Sequence, residues 1–246
     1  MVEAIPVTER RYILAEKHDE TPEVLILKFM PEDGKPCPFE PGMFMMISGL
    51  DKEGNKYIGR AYSIASDPST PGMEFMVIKA PKHGDHIGTS HFMNANVGDI
   101  FVLKGPNGQF RFDPATDKKV CFIAGGTGLA PFASMLRHIK VTNSHNDIAL
   151  FYSIKYPTEI IWKDELSSYV NDLHVKMIIT VTRPQSGDGW TGQTGHIDSD
   201  MIKTNVPDFL DRGFYICGPL EFVKAMKDAL ASLNVNPSKI KADVWG

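Results

Sequence analysis

The chain has 246 residues, a formal net charge of −4, 42% hydrophobic residues and 23% charged residues. These values are typical of a globular protein with one large domain or two ordinary ones, and the negative charge argues against a nucleic-acid partner. No apolar run approaches the roughly 20 residues that span a bilayer, and the N-terminus shows no secretory signal. We therefore expect a cytoplasmic protein that binds neither nucleic acid nor membrane.

The three cysteines, Cys37, Cys121 and Cys217, lie far apart in the sequence. They form no disulfide framework, and an iron–sulfur cluster normally requires four cysteine thiolates. If this protein transfers electrons, we expect any iron centre to lie on another polypeptide.

The first half of the chain, residues 1–113, is a series of short strands separated by turn residues. This pattern predicts a small antiparallel barrel or sandwich, with one short helix around Ser90–Asn94. The expected strands are Arg11–Ala15, Val24–Met30, Phe44–Gly49, Tyr57–Ala65, Met73–Ala80 and Asp99–Lys104.

The second half, residues 114–246, alternates buried strands with amphipathic helices. Such alternation predicts a parallel sheet that is covered on both faces. Expected strands are Val120–Ala124, Ile148–Ile154, Val175–Val181 and Phe214–Cys217. Three helices are expected. The first follows the glycine-rich turn at 125–128, the second lies near Trp162–Tyr169, and the third spans residues 222–233.

A short motif in the first half, Arg60-Ala61-Tyr62-Ser63, puts a cation, an aromatic ring and a hydroxyl on one strand. Side chains of a strand alternate between its two faces, so Arg60 and Tyr62 share one face and Ala61 and Ser63 the other. A flat ring could stack on Tyr62 while Arg60 neutralises a phosphate. The alternative is an ordinary barrel strand with one surface arginine.

This motif resembles the Arg-x-Tyr-Ser/Thr motif of the ferredoxin–NADP reductase superfamily. Segments at 39–44, 88–92 and 105–110 are similar to further family motifs in the same order. The resemblance implies a six-stranded antiparallel β-barrel that binds FAD over residues 1–113 and a parallel α/β domain that binds NAD(P) over 114–246. The resemblance is to the single-chain form of the family, so we expect no iron–sulfur domain. The resemblance places Arg60 on the flavin pyrophosphate, Tyr62 on the isoalloxazine and Ser63 near its N5 atom.

The segment Gly88-Thr89-Ser90 opens the short helix of the first half. Unpaired backbone N–H groups and the helix dipole favour an anion at such a position. The residues predicted to bind FAD are Arg60, Ala61, Tyr62, Ser63, Ile78, Lys79, Gly88, Thr89 and Ser90.

Four residues close to this segment, His83, Asp85, His86 and His91, raise the question of a metal. No cysteine joins them, so we expect no metal, and we expect these histidines to be solvated or to face a phosphate.

The second glycine segment, Gly126-Thr127-Gly128 with Pro131, lies between a strand and a helix, which is the context of a dinucleotide-binding turn. It lacks the third glycine of a Rossmann fingerprint but resembles the corresponding turn of the reductase family. By the same resemblance, residues at the ends of the next two strands hold the 2′-phosphate of NADPH; these are Ser153, Lys155 and Arg183. The alternative is that both cations are ordinary loop residues, with NADH as the co-substrate.

The last two signals are Cys217-Gly218-Pro219 and the C-terminal pair Asp243 and Trp245. The resemblance places Cys217 beside the nicotinamide in a positioning role, and Trp245 over the flavin, where its mobility could gate hydride transfer. The predicted catalytic residues are Ser63, Cys217, Asp243 and Trp245.

These motifs together predict an FAD-dependent NAD(P)H oxidoreductase. Hydride would pass from the nicotinamide to FAD, and electrons would then pass to a separate one-electron carrier, such as ferredoxin or a similar iron–sulfur or flavin protein. The alternatives are a free-flavin reductase, an electron-transfer subunit of a larger complex, and a nucleotide-binding module without redox function.

Overall fold

The computed structural model describes residues 5–57, 59–79 and 87–245, except for the side chains of 87–89. The chain divides into two compact units. The first contains residues 1–112 together with 133–138, and the second contains 113–132 and 139–246.

The described part of the first unit contains a six-stranded antiparallel sheet, one complete helix and the helical residues 133–138. The strand order is β4-β3-β6-β1-β2-β5. The elements are β1 (Thr8–Thr21), β2 (Val24–Pro31), β3 (Phe44–Gly49), β4 (Arg60–Ser63), β5 (Met73–Ile78), α1 (Ile87–Asn94) and β6 (Ile100–Asn107).

The two edge strands, β4 and β5, approach each other beyond the end of β4. Ala65 N donates a hydrogen bond to Glu74 O at 2.8 Å, and Glu74 N donates to Ser66 Oγ at 3.1 Å. The sheet is therefore a nearly closed barrel, as predicted. Its interior is filled by aromatic and aliphatic side chains, among them Leu14, Leu27, Phe29, Phe75, Phe101 and Leu103.

Strand lengths differ most from the expectation for β1 and β4. The first strand is longer, because its ladder with β2 continues past two register shifts to Thr21. The expected strand Tyr57–Ala65 shrinks to Arg60–Ser63, since Ile64 and Ala65 leave the β3 ladder. Ile64 N donates instead to Met43 O at 2.9 Å.

The second unit is built on a parallel six-stranded sheet with the order β10-β9-β8-β7-β11-β12. Its strands are β7 (Lys119–Gly125), β8 (Asp147–Ile154), β9 (Lys176–Val181), β10 (Gln193–Thr194), β11 (Gly213–Pro219) and β12 (Ile240–Trp245). Its helices are α2 (Ala130–Thr142), whose residues 133–138 pack in the first unit, α3 (Lys163–Asp172), α4 (Ser199–Asn205) and α5 (Leu220–Ser232).

The predicted parallel α/β architecture is thus confirmed, and three elements were not expected from the sequence: β10, α4 and β12. The core of this unit is a second cluster of buried side chains, including Ile123, Phe151, Ile202, Phe214, Ile216 and Leu230. None of the helices among the described residues is long and apolar enough to cross a bilayer.

Candidate functional site

The β4 motif lies at the edge of the barrel, paired with β3. Arg60 is opposite Ile47, and Tyr62 is opposite Met45. Directly paired residues point to the same face of a sheet, and both β3 residues are buried in the core. Arg60 and Tyr62 therefore share one face of β4, on which Tyr62 packs against the core and Arg60 is exposed, and Ser63 lies on the other face.

The ring of Tyr62 is held by an aromatic cluster. It meets Phe92 of α1 edge to face, with the ring centroids 5.3 Å apart and the planes at 88°. Phe92 in turn lies parallel to Phe101 at 5.6 Å. Tyr62 is only partly buried, so the packing fixes a partly exposed aromatic ring at the barrel edge. A cation, a fixed ring and a hydroxyl within one strand are a donor set that fits a flavin nucleotide.

Helix α1 places the predicted phosphate segment in its first turn. Gly88, Thr89 and Ser90 follow its first residue, Ile87, and this turn contains no acidic side chain. The first backbone N–H groups of a helix have no intrahelical acceptor, so this end of α1 suits a phosphate.

The two predicted residues at the end of β5 differ in their surroundings. Ile78 is 38% exposed, so an apolar side chain lies open to a ligand there. The Lys79 ammonium is already engaged, since Nζ lies 2.8 Å from an Asp19 carboxylate oxygen and 3.3 Å from Thr21 O. A role for Lys79 on FAD would require competition with Asp19.

His91 is partly buried and packs against two aromatic rings, which corrects the expectation of a freely solvated histidine. That it faces a phosphate stays a prediction. Its ring lies 4.7 Å from the Tyr57 ring and 5.5 Å from that of Phe101. A Cβ added at Gly49 would lie 1.9 Å from His91 Nε2, so the glycine makes room for the imidazole. Burial lowers the pKa of His91.

The other three residues considered for a metal, His83, Asp85 and His86, lie outside the described residues. Among the residues that the structure describes, no group of three potential metal ligands is present.

The glycine turn of the second unit joins β7 to α2 and packs closely on β11. Gly126 has φ +55°, a left-handed conformation, and nothing lies within 4 Å of where its Cβ would be. At Gly128 a Cβ would lie 2.2 Å from Cys217 O, so only glycine fits. Pro131 lies in the first turn of α2. The turn therefore offers open main chain to a ligand on one side and touches a neighbouring strand on the other.

The end of β11 brings the predicted thiol and the C-terminal residues together. Cys217 is opposite Asp243, Gly218 opposite Val244, and Pro219 opposite Trp245 in the β11–β12 ladder. Burial, and then the nearby Asp243 carboxyl, raise the pKa of Cys217, and burial raises the pKa of Asp243. Both groups are therefore held toward their neutral forms.

Trp245 is the last residue of β12, and its indole nitrogen is buried without a hydrogen-bond partner among the described residues. The C-terminal segment is thus an ordered edge strand, paired with β11 along its whole length.

The predicted 2′-phosphate residues meet at two neighbouring strand ends. Arg183 N donates to Lys155 O at 2.9 Å, which keeps the chain after β9 beside the chain after β8. In the part of the chain that the structure describes, neither cation makes an ion pair. Ser153 is buried two residues before Lys155. In parallel sheets, ligands bind at the carboxyl ends of the strands, which is where all these residues lie.

Two residues near these strand ends were not singled out from the sequence. The carboxylate of Glu159 accepts a hydrogen bond from Lys155 N at 3.0 Å, so one acidic side chain binds the main chain at the end of β8. Phe222 of α5 lies under the turns, since a Cβ on Gly218 would come within 2.7 Å of its ring. The helix expected over 222–233 begins with Phe222, but the periodicity of its apolar residues does not reveal which glycine this side chain contacts.

Comparison with known proteins agrees with this arrangement. Residues 11–112 match the model of an oxidoreductase FAD-binding domain, and residues 122–228 match that of an oxidoreductase NAD-binding domain.

Among curated proteins, the chain is 31% identical over 230 residues to the glycine betaine monooxygenase reductase subunit of Chromohalobacter salexigens, covering 92% of this chain and 61% of that protein. It is 29% identical over 243 residues to NADH-cytochrome b5 reductase 1 of Emericella nidulans, covering 94% and 76%. The chain thus spans about three fifths of the length of the first of these relatives.

Among solved structures, the cytochrome b5 reductase domain of Ulva prolifera nitrate reductase is similar, with a TM-score of 0.81 and 25% identity over 96% of this chain and 97% of that one. A ferredoxin NADP+ reductase from Neisseria gonorrhoeae with bound FAD and NADP shares the fold, with a TM-score of 0.76, 22% identity and coverage of 98% and 99%. With an FAD-binding domain followed by an NAD-binding domain on one chain, this protein belongs to the ferredoxin–NADP reductase superfamily of FAD- and NAD(P)-binding oxidoreductases.

Proposed function

We propose that this protein is an NAD(P)H-dependent flavoprotein reductase that takes hydride from a nicotinamide coenzyme and passes electrons to a separate one-electron carrier. The observation that carries the proposal is that one chain holds both a fixed Arg-x-Tyr-Ser strand and, in its parallel sheet, a glycine turn packed on a Cys-Gly-Pro turn. FAD, when bound, accepts a hydride and releases electrons one at a time.

The first unit would hold FAD through charge, stacking and main-chain groups. Arg60 and the start of α1 would bind the pyrophosphate, Tyr62 would stack on the ring system, and the Ser63 hydroxyl would orient its polar edge. Ala61, Ile78 and Lys79 would line the same site. The support is the exposed Arg60 next to a ring that is already fixed by Phe92.

The second unit would seat the coenzyme on its strand ends. Gly126, Thr127 and Gly128 would let the coenzyme approach the main chain, with Pro131, Gly218 and Pro219 shaping the turns. Cys217 would position the nicotinamide as a neutral thiol, because its raised pKa opposes a thiolate nucleophile.

The roles of Asp243 and Trp245 are proposed by resemblance. Asp243 would present a carboxyl whose pKa is raised by burial, and Trp245 would supply the aromatic cover of the flavin. The support is that Asp243 pairs with Cys217 and Trp245 pairs with Pro219 in the β11–β12 ladder, which brings both residues to the proposed nicotinamide turn.

For the coenzyme we propose NADPH over NADH. Lys155 and Arg183 lie on adjacent strand ends, with Ser153 close by, and a 2′-phosphate would neutralise both cations. The double variant Lys155→Ala/Arg183→Ala should lower kcat/KM for NADPH at least tenfold and change that for NADH less than threefold. Steady-state kinetics with both coenzymes checks this, and an equal loss for the two would contradict it.

For the acceptor we propose a protein carrier of the iron–sulfur or flavin type, such as a ferredoxin. One relative is named as the reductase subunit of a monooxygenase and another as a cytochrome b5 reductase, which supports a separate redox partner. The three free cysteines support a reducing, cytoplasmic environment.

We also propose that the boundary between the FAD-binding and the NAD(P)-binding domain lies near residue 113.

The test of the proposed function is an anaerobic titration of purified protein with NADPH and then NADH, followed by visible absorption. We expect a flavin spectrum that survives gel filtration and bleaches with about one equivalent of coenzyme. A flavin lost on gel filtration would favour the free-flavin reductase, and a colourless protein that takes up no added FAD would refute both.

A further inference from the structure

Three polar side chains on one face of helix α2 bind the segment that follows the β4 motif. Ser134, Arg137 and His138 are spaced i, i+3 and i+4, so they point to the same side of the helix. They belong to the first compact unit, as does the segment 65–67.

Each of the three side chains holds a different part of that segment. Ser134 Oγ donates to Ser66 O at 2.7 Å, and His138 Nδ1 lies 2.8 Å from Asp67 Oδ2. Arg137 Nη1 donates both to Ala65 O at 3.0 Å and to a Glu74 carboxylate oxygen at 2.5 Å.

Ser134 and Asp67 are buried, and Arg137 and His138 are partly buried, so most of these polar groups depend on one another for hydrogen bonds. Ser134 is fully buried, and the side chains of Asp67 and Arg137 are 2% and 19% exposed. Buried charges and hydroxyls are costly unless they are paired, so any displacement of the segment would leave several of them unsatisfied. The cluster therefore stabilises the observed position of the chain at 65–67, which starts two residues after Ser63.

We propose that Arg137 is a positioning residue for the flavin: by binding Ala65 O and Glu74 together, it fixes the end of β4 and hence the direction of Tyr62 and Ser63. It does this without touching the cofactor. This inference rests on the proposed FAD site at β4.

The test compares Arg137→Met with a matched control, Arg10→Met. Arg10 is also a half-buried arginine of the first unit, with a side chain 20% exposed. It too binds one carboxylate, that of Asp33 at 2.5 Å, and main-chain carbonyls, those of Lys35 at 2.6 Å and Pro36 at 3.3 Å. Its partners lie in the segment that follows β2, and none of them belongs to β4 or to residues 65–67.

The readouts are the Kd of the apoprotein for FAD, by fluorescence quenching, and the visible circular dichroism of the bound flavin. We expect Arg137→Met to raise the Kd at least tenfold and to alter the dichroism, and Arg10→Met to leave the Kd within twofold. Arg137→Lys keeps a cationic donor and should stay within threefold of wild type. Equal Kd values and spectra for the two methionine variants would overturn the proposal.

A second variant covers the case in which Arg137→Met does not fold. Glu74→Gln removes the charge partner at nearly constant volume, and it should raise the Kd for FAD at least threefold in folded protein. An unchanged Kd in folded Glu74→Gln would also overturn the proposal. If wild-type protein binds no FAD, the proposed function fails instead, so the two failures are distinguishable.

Discussion

At the scale of single residues, Gly128 shows how closely the coenzyme turn is packed. The Cys217 carbonyl oxygen occupies the space where a Cβ of residue 128 would lie, so any larger residue would have to displace the main chain of β11. We expect Gly128→Ala to lower the free energy of unfolding by about 1–3 kcal/mol, the usual cost of overpacking. We also expect at least a tenfold weaker binding of coenzyme. Urea unfolding and coenzyme titration measure the two effects.

The control for this variant is Gly213→Ala at the start of β11. A Cβ there would meet Val120 at 3.8 Å, an ordinary van der Waals distance, and the position needs no left-handed conformation. It should therefore fold and bind coenzyme as wild type does. Equal free energies of unfolding and equal coenzyme affinities for the two variants would show that the close contact between Gly128 and Cys217 O is not required for coenzyme binding.

The Cys217 thiol gives a second residue-scale prediction. Because burial and Asp243 raise its pKa, the thiol stays protonated at pH 8, where a free cysteine is partly thiolate. We expect iodoacetamide to alkylate Cys217 at least 100-fold more slowly in native protein than in urea, as measured by peptide mass spectrometry. Rapid labelling of the native protein would mean that the thiol is exposed and ionised, and would favour a nucleophilic role.

At the scale of elements, Arg212 ties together the amino ends of three strands. Its guanidinium donates to Val120 O at the start of β7, to the Asp147 carboxylate at the start of β8, and to Asp208 just before β11. Lys119 Nζ also lies 2.6 Å from Asp208. Because Arg212 is buried, this network fixes the register of the sheet at the end opposite to the coenzyme turns.

This network predicts a specific loss of stability in acid. Hydrogen bonds from Arg212, and also from Lys119, hold the pKa of Asp208 well below its usual range. A carboxyl whose folded pKa is lowered contributes stability above its unfolded pKa, about 4, and loses it as the pH falls further. The difference in Tm between wild type and Asp208→Asn should thus be largest near pH 7 and shrink toward pH 3. Parallel Tm curves would show that the Asp208 charge does not contribute.

The elements that the sequence did not reveal are short or lie at edges. β12 has the sequence Ile-Lys-Ala-Asp-Val-Trp, in which charged and apolar residues alternate, and it pairs on one side only. β10 has two residues and α4 seven, too few for a periodic pattern. Buried strands such as β7 were predictable because both of their faces are covered, which requires an uninterrupted apolar run.

The same distinction holds for the candidate site. Motif spacing could locate Tyr62 and Gly128, because a stacking ring and a close main-chain approach demand particular residue types. It could not show that Lys79 binds Asp19 or that His91 fills the space over Gly49, since both facts depend on strands that pair across long sequence separations.

At the scale of the whole molecule, each compact unit has its own buried cluster. One is centred on residues such as Phe29 and Phe101, the other on residues such as Phe151 and Ile216. The helix α2 contributes residues to both units, since 133–138 pack in the first and the rest in the second. A protein that must bind two nucleotides gains from this arrangement, because each site is supported by a separate core.

Separate cores predict that a cavity in one unit weakens that unit alone. Phe29 is fully buried and meets Phe75 and Phe101 edge to face, so Phe29→Ala should cost about 3–5 kcal/mol. Hydrogen exchange followed by mass spectrometry should then show faster exchange in peptides of the first unit, including 133–138. Exchange in the parallel sheet should change less than twofold. The reciprocal variant, Ile216→Ala, should accelerate exchange in the sheet alone. Equal acceleration in both units by either variant would mean that the chain unfolds as one body, and local stability could not then be assigned to the two nucleotide sites separately.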